Sequence, residues 1–272
     1  MDHKTKEKVK TWLEKGEIDL FLGYRMVDGH PLPYCFHRDN PDEVRDLVEA
    51  RVRYPLEKTA LMIASAEPEL RIGLLARDCN QRALNALFVW NQLDPDRIRT
   101  LDINCCPSPL KAQEHCSYLK PEKPGILKKE VGIDNTMDIE DTAQWESKER
   151  FARWMYEFEK CIKCYGCRNI CPVCFCKECS LEHSDFVGTG DLPPEVPLFH
   201  LARAVHMAGR CIDCGLCEEA CPMDIPLRLL YGKANEIVKR IFDYEAGTPR
   251  EQSPFSVLEE KITLEPKEIE AA

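Results

Sequence analysis

The chain has 272 residues, a formal charge of −10 and sixteen cysteines. An acidic balance of this size argues against nucleic acid as the partner, and no apolar run approaches the ~20 residues needed to span a bilayer. A charged N-terminus, Met1 to Gly16, lacks a signal-peptide core, so a cysteine-rich chain of this kind is expected in a reducing compartment, the cytoplasm.

Residues 4–15 read as a short amphipathic helix with Val9, Trp12 and Leu13 on one side. Phe21–Val27 and Pro31–His37 flank Asp28-Gly29, a hairpin signal. Asn40, Pro41 and Glu43 predict a capped helix running to about Ala50. Leu70–Ala76 is a strand-like apolar run, Asp78 can cap a helix from Cys79 to about Trp90, and Ile98–Ile103 reads as a second strand. Strand, helix and strand make a βαβ unit and hence a parallel sheet. The turn after the first strand, Ala76-Arg77-Asp78-Cys79-Asn80, lacks glycines, so a dinucleotide held in the usual way is not expected.

Residues 107–147, rich in Pro, Lys and acid, read as loop, with a solvated acidic stretch at Asp138–Asp141. Lys148–Phe158 predicts a helix with Phe151, Trp154, Met155 and Phe158 on one face. Pro197–Met207 predicts another, with Leu198, Leu201 and Val205 on one side and Gly209 as its stop. His200 and His206 on that helix read as surface or core residues rather than ligands. Pro226–Tyr244 is a long amphipathic helix with Leu230, Ala234, Ile237 and Ile241 at helical spacing. The expected class is α+β: an α/β domain over 1–147 with a small parallel βαβ sheet, a mainly helical dicluster ferredoxin-like domain over 148–246, and an extended tail over 247–272.

Two runs carry the chemistry. Cys161, Cys164, Cys167 and Cys171 precede Pro172, and Cys211, Cys214, Cys217 and Cys221 precede Pro222, each as C-x-x-C-x-x-C-x-x-x-C-P. This is the bacterial two-cluster ferredoxin run, whose fourth cysteine serves the other cluster. Three thiols in one tight loop reach three corners of a cubane, and a fourth from the same loop would strain it. The expectation is two 4Fe–4S clusters: one on Cys161, Cys164, Cys167 and Cys221, the other on Cys211, Cys214, Cys217 and Cys171. Zinc sites also use paired C-x-x-C, but they need neither the third cysteine in phase nor the duplicate.

Eight cysteines remain, Cys35 and seven candidates for a further metal site: Cys79, Cys105, Cys106, Cys116, Cys174, Cys176 and Cys179. Cys79 opens a helix, where a thiol is acidified. Cys105 and Cys106 follow the second strand at the carboxyl edge of the sheet, where ligands bind. Cys174, Cys176 and Cys179 crowd behind the first run. A third 4Fe–4S cluster is the favoured occupant, a structural zinc the next, and buried free thiols the alternative to both. The Cys105-Cys106 pair resembles that of heterodisulfide reductase catalytic subunits, but Pro107 follows it where those have Gly, so disulfide-reducing chemistry is not assigned.

The stretch Ile72-Gly-Leu-Leu-Ala-Arg-Asp-Cys79-Asn-Gln-Arg-Ala-Leu84, then Asn91-Gln-Leu, resembles the beta-subunit family of formate dehydrogenases and deazaflavin-reducing hydrogenases. So do Cys161 through Cys176 and the segment from His206 to Cys217. The resemblance spans residues from about 18 to about 245. It implies an electron-relay subunit between a catalytic partner, of formate dehydrogenase or hydrogenase type, and a second redox subunit such as a heterodisulfide-reductase-like flavoprotein. Some members hold a flavin and reduce a deazaflavin or nicotinamide. This chain shows no phosphate-binding loop for a flavin and places its ferredoxin part on the C-terminal side. A subunit that itself reduces a deazaflavin or nicotinamide through a flavin or cysteine site is the second expectation, and a cluster-bearing structural or sensing protein the third. No catalytic constellation is legible, so the chain is read as non-catalytic.

Overall fold

The computed structural model describes residues 1–50, 52–103, 145–185, 187–188, 195, 197–249 and 252–255. Helix α1 (His3–Glu14) is capped by Asp2, whose carboxylate accepts the Thr5 amide at 2.7 Å. Val9, Trp12 and Leu13 form its buried stripe. Strands β1 (Leu20–Val27) and β2 (His30–His37) pair antiparallel. Asp28 and Gly29 between them both have positive φ, 50° and 80°, the primed turn whose twist matches the flanking strands.

The helix expected to run to Ala50 is not formed. A 3-10 turn, Pro41–Asp46, is followed by a two-residue strand β3 (Leu47–Val48). The Asn40 side chain makes no capping bond. Pairing of Leu47 with Arg25 and of Val48 with Tyr24 carries the chain into the sheet and buries Leu47 completely. Tertiary pairing here overrides a local start signal. Helix α2 (Leu56–Ala66), unassigned from sequence, follows.

Strand β4 (Ile72–Arg77) is buried at every position, as a strand covered on both faces must be. It pairs parallel with β1 and with β5 (Ile98–Ile103). Helix α3 (Asp78–Val89) connects β4 to β5, completing the expected βαβ unit. The whole sheet is mixed, in the order β2-β1-β4-β5, with β3 also on β1. Asn80, not Asp78, serves the helix start: its carboxamide oxygen accepts the Arg77 amide at 2.9 Å.

The second half is helical: α4 (Ser147–Glu159), α5 (Gly166–Asn169), α6 (Leu198–Met207), α7 (Leu216–Glu219) and α8 (Leu227–Phe242). The stripe of α6 expected to pack inward faces outward, with Leu198 68% and Val205 73% exposed, while Phe199, His200, Arg203, Ala204 and Met207 are buried. On α8, Ile237 and Ile241 are likewise exposed, and Leu227, Leu229, Tyr231 and Val238 face inward. On α4 only Phe158 of the apolar stripe is buried. Of the tail, Phe255 packs edge-on against Phe242 at 5.2 Å and covers Gly209. Residues 104–144 and 256–272, with the acidic stretch and most of the loop-rich segment, lie outside the described residues. No described helix is long and apolar enough to cross a membrane.

Helix α3 belongs to two cores. Its Leu84 and Leu87 pack with the sheet residues Phe21, Ile72 and Leu74. Its Ala83 and Ala86 pack with Cys171, Val173, Ile212 and Cys221. Small alanines on that side let the cysteine loops approach the helix closely.

Asp19 ties the sheet at its lower end. Its carboxylate accepts the Arg71 amide at 2.9 Å, the Arg71 guanidinium at 3.2 Å and Arg38 at 2.8 Å. Burial pushes this carboxyl up, but the arginines outweigh it and hold it at about 2. A depressed carboxyl stabilises the fold fully above its unfolded value of 3.8 and stops doing so as pH falls toward 2. The difference is worth about 2 kcal/mol at 1.36 kcal/mol per unit. Asp19→Asn is therefore expected to lower unfolding free energy by about that amount at pH 7 and to match the parent near pH 2, as read by urea denaturation across pH.

Candidate metal centre

The two cysteine runs, offset by 50 residues, fold alike. In each, the first thiol sulfur accepts a backbone N–H two residues on, Lys163 N to Cys161 Sγ and Asp213 N to Cys211 Sγ, both at 3.4 Å. That contact needs left-handed backbone at Lys163 (φ 49°) and Asp213 (φ 55°). A second left-handed residue, Tyr165 or Gly215, then turns the chain into α5 or α7. Left-handed φ costs a non-glycine residue energy, so three such positions mark loops held by something other than local preference. The third cysteine of each run lies in the short helix and the fourth just beyond it. The two loops abut: a Cβ on Gly166 would meet the Ala220 carbonyl oxygen at 3.2 Å and Cys164 Sγ at 3.5 Å.

Two cavities lie between the loops. One is lined by Cys161, Cys164, Cys167 and Cys221, with Phe199 and His200 among its walls. The other is lined by Cys171, Cys211, Cys214 and Cys217, with Arg203 and Tyr231. Each cavity thus gathers three thiols of one run and the pre-proline thiol of the other. The first is the shallower, since Cys164 is exposed; Cys171 and Cys221 are buried.

Electrostatics distinguish the walls from an ordinary core. Burial pushes the Cys161 thiol up to about 11 and Cys211 to about 12, and raises Cys214 and Cys217 well above the usual thiol range. Metal-free, these thiols are neutral, and a metal binds them by displacing protons. Arg203 is buried all the same. It donates to the Cys167 carbonyl at 2.9 Å, reaches Cys174 Sγ at 3.7 Å and lies over the Tyr231 ring. Burial opposes its charge, while Tyr231 and the thiols of Cys167, Cys171 and Cys174 favour it. It has no carboxylate partner among the described residues, and its Nε is buried without a hydrogen bond. Both ring nitrogens of His200 and the Tyr231 hydroxyl are buried without a hydrogen bond as well. His200 stacks on Phe158 at 4.8 Å, and burial together with Arg203 holds it neutral, at about 4. The matched loop positions carry opposite charges: Lys163 donates to the Gly188 carbonyl at 2.6 Å, and Asp213 accepts from Arg228 at 2.7 Å.

This donor set fits a cubane. Four thiols surround each apolar cavity, amides point at two of the sulfurs, and an uncompensated buried cation awaits negative charge. Thiolate-ligated iron–sulfur groups supply that charge and accept such hydrogen bonds.

The other cysteines are scattered. Cys174 sits by Arg203, Cys176 by Arg210 at 3.7 Å, and Cys179 by Arg168. Cys79 is near enough to Arg53 and Cys214 for their charges to interact. Among the described residues no three His, Cys, Asp or Glu side chains gather as ligands of a single metal ion. Cys105, Cys106 and Cys116 lie outside the described residues. Sequence reasoning passed over Arg203, Tyr231 and Arg53. The one available signal was the polar pair His200 and Arg203, one turn apart on a helix that joins the two runs.

The α/β half grips both loops. Arg53 donates to the Cys214 carbonyl at 2.7 Å and pairs with Glu219. Lys58 donates to the carbonyls of Arg168 at 3.2 Å and Asn169 at 2.9 Å.

Residues 194–226 match the family described as 4Fe-4S dicluster domain. The chain is also similar to two curated proteins. One is the F420-dependent formate dehydrogenase subunit beta of Methanocaldococcus jannaschii, 40% identical over 107 residues, which are 39% of this chain and 28% of the relative. The other is the F420-dependent formate dehydrogenase 1 subunit beta of Methanococcus maripaludis, 37% identical over 152 residues, 53% of this chain and 39% of the relative. The chain thus spans well under half the length of these relatives.

Removing Arg53 strips a buried cation from Glu219 and an anchor from the second loop. Arg53→Met is expected to cost about 2–3 kcal/mol of stability and to speed amide hydrogen exchange over residues 214–219, as measured by mass spectrometry.

Proposed function

We propose that this chain is an iron–sulfur electron-transfer subunit of an oxidoreductase complex. Cys161, Cys164, Cys167 and Cys221 would hold one 4Fe–4S cluster, and Cys211, Cys214, Cys217 and Cys171 a second. The observation that carries this reading is the crossed gathering of thiols, three from one run and one from the other, around each of two adjacent cavities. When bound, each cluster supplies a one-electron couple. The chain's own residues bind it through thiolates, aim the Lys163 and Asp213 amides at its ligand sulfurs, and exclude water with Phe199, Ile225 and Leu227 on one side and Val173, Met207 and Tyr231 on the other.

The likeness to beta subunits of formate dehydrogenases supports a catalytic partner of that type. A hydrogenase in its place, or a heterodisulfide-reductase-like flavoprotein as the second redox subunit, is a narrower proposal that rests on the sequence resemblance. The outward apolar side of α6, Leu198, Leu201 and Val205, lies on the helix that walls both cavities and suits a protein neighbour. A second reading has the N-terminal half meeting a deazaflavin directly. The relatives are named for dependence on F420, and Cys79, at the carboxyl edge of β4, is coupled electrostatically to Cys214. Flavin released on denaturation of the purified protein would favour this second reading.

Anaerobically reconstituted protein is expected to bind about eight irons per chain and to give reduced 4Fe–4S signals by electron paramagnetic resonance. Cys221→Ser is expected to disturb the same cluster as Cys164→Ser, and Cys171→Ser the same one as Cys214→Ser. If each serine variant of a pre-proline cysteine perturbs the cluster of its own run instead, the crossed assignment fails. Iron well below four per chain in the parent overturns the cluster reading itself.

A further inference from the structure

Helix α6 joins the two cysteine runs and places a different polar side chain at each cavity. His200 walls the cavity of Cys161, Cys164, Cys167 and Cys221. Arg203, one turn on, walls the cavity of Cys171, Cys211, Cys214 and Cys217, and there meets Tyr231 of α8. All three are between 2% and 3% exposed. All three hold buried polar atoms without a hydrogen-bond partner among the described residues: both His200 ring nitrogens, Arg203 Nε and Tyr231 Oη. Buried polar groups are nearly always satisfied, and an unpaired one costs about 1–3 kcal/mol. The donors among these atoms, a His200 ring N–H, the Arg203 Nε–H and the Tyr231 O–H, therefore point to acceptors that sit in the cavities.

Resting on the cluster reading above, we propose that α6 and Tyr231 set the reduction potentials of the two clusters: His200 donates a ring N–H to sulfur of the first, and the Arg203 guanidinium and Tyr231 hydroxyl act on the second. Reduction adds one electron and hence one negative charge to a cluster, with no bond to the protein made or broken. A hydrogen-bond donor or a buried cation stabilises that added charge, so each of these groups raises a potential. Arg203 also bonds the Cys167 carbonyl of the first site, so its charge is felt at both, more strongly where it walls the cavity. His200 walls the first cavity and not the second, so it acts on one cluster.

The test is a redox titration of the reconstituted full chain, followed by electron paramagnetic resonance, with iron content measured for every variant. His200→Phe is expected to lower one midpoint and Tyr231→Phe the other, each making reduction about threefold less favourable. Arg203→Met is expected to make it at least tenfold less favourable at the Tyr231-sensitive cluster, about 59 mV for one electron. Arg203→Lys, which keeps the charge, is expected to stay within threefold of the parent. Tyr231→Phe removes a single oxygen, so it reads the effect even where Arg203→Met fails to load iron. Variants with full iron whose midpoints all stay within twofold of the parent overturn the inference, as does a common shift of both midpoints by His200→Phe and Tyr231→Phe alike. Parent protein without any cluster signal would instead overturn the cluster reading, so the two failures are distinct.

Discussion

A loop of seven residues can turn three thiols toward one point but not four. This limit on reach organises the C-terminal half. The fourth thiol of each run, set just past α5 or α7 and followed by proline, leaves its own loop and lines the other loop's cavity. The loops abut, close enough that a Cβ on Gly166 would press on the Ala220 carbonyl oxygen at 3.2 Å. Everything else in this half serves that contact. Left-handed Lys163, Tyr165 and Asp213 accept strain to bend the loops, and the sides of α6 and α8 turned inward are the ones that fit between them.

Helix α6, between the loops, buries a mixed side. Its apolar part is Phe199, Ala204 and Met207, which join the surrounding cores. Its polar part, His200 and Arg203, lines the two thiol cavities, and Leu198, Leu201 and Val205 face out. An arginine in such a place is tolerated only beside compensating negative charge. Arg203 is therefore evidence about its surroundings as well as a constituent of them.

Local signals in the sequence were legible where the structure is local. Asp28-Gly29 specified the hairpin because two adjacent positive φ angles need those residues. The βαβ unit was readable from a buried apolar run, a helix and a second strand, and the cysteine spacing singled out the eight thiols that surround the cavities. Long-range contacts were illegible. Nothing near Asn40 announces that Leu47 pairs with Arg25. Nothing near Arg53 announces a bond to a carbonyl 161 residues away. The pairings of β1 with β3 and with β4 escaped notice for the same reason, since neither strand is adjacent to β1 in sequence.

Helix α3 turns Leu84 and Leu87 to the sheet core, and Ala83 and Ala86 to the core that contains Cys171 and Cys221. One rigid rod thus has its two sides embedded in two different cores, and neither can loosen without unseating it. A ligand that binds only the folded state adds its binding free energy to folding. Through α3 that contribution reaches the sheet as well as the loops. Loss of a group held between the loops would then be felt, through α3, as a softening of the sheet on the other side of that helix.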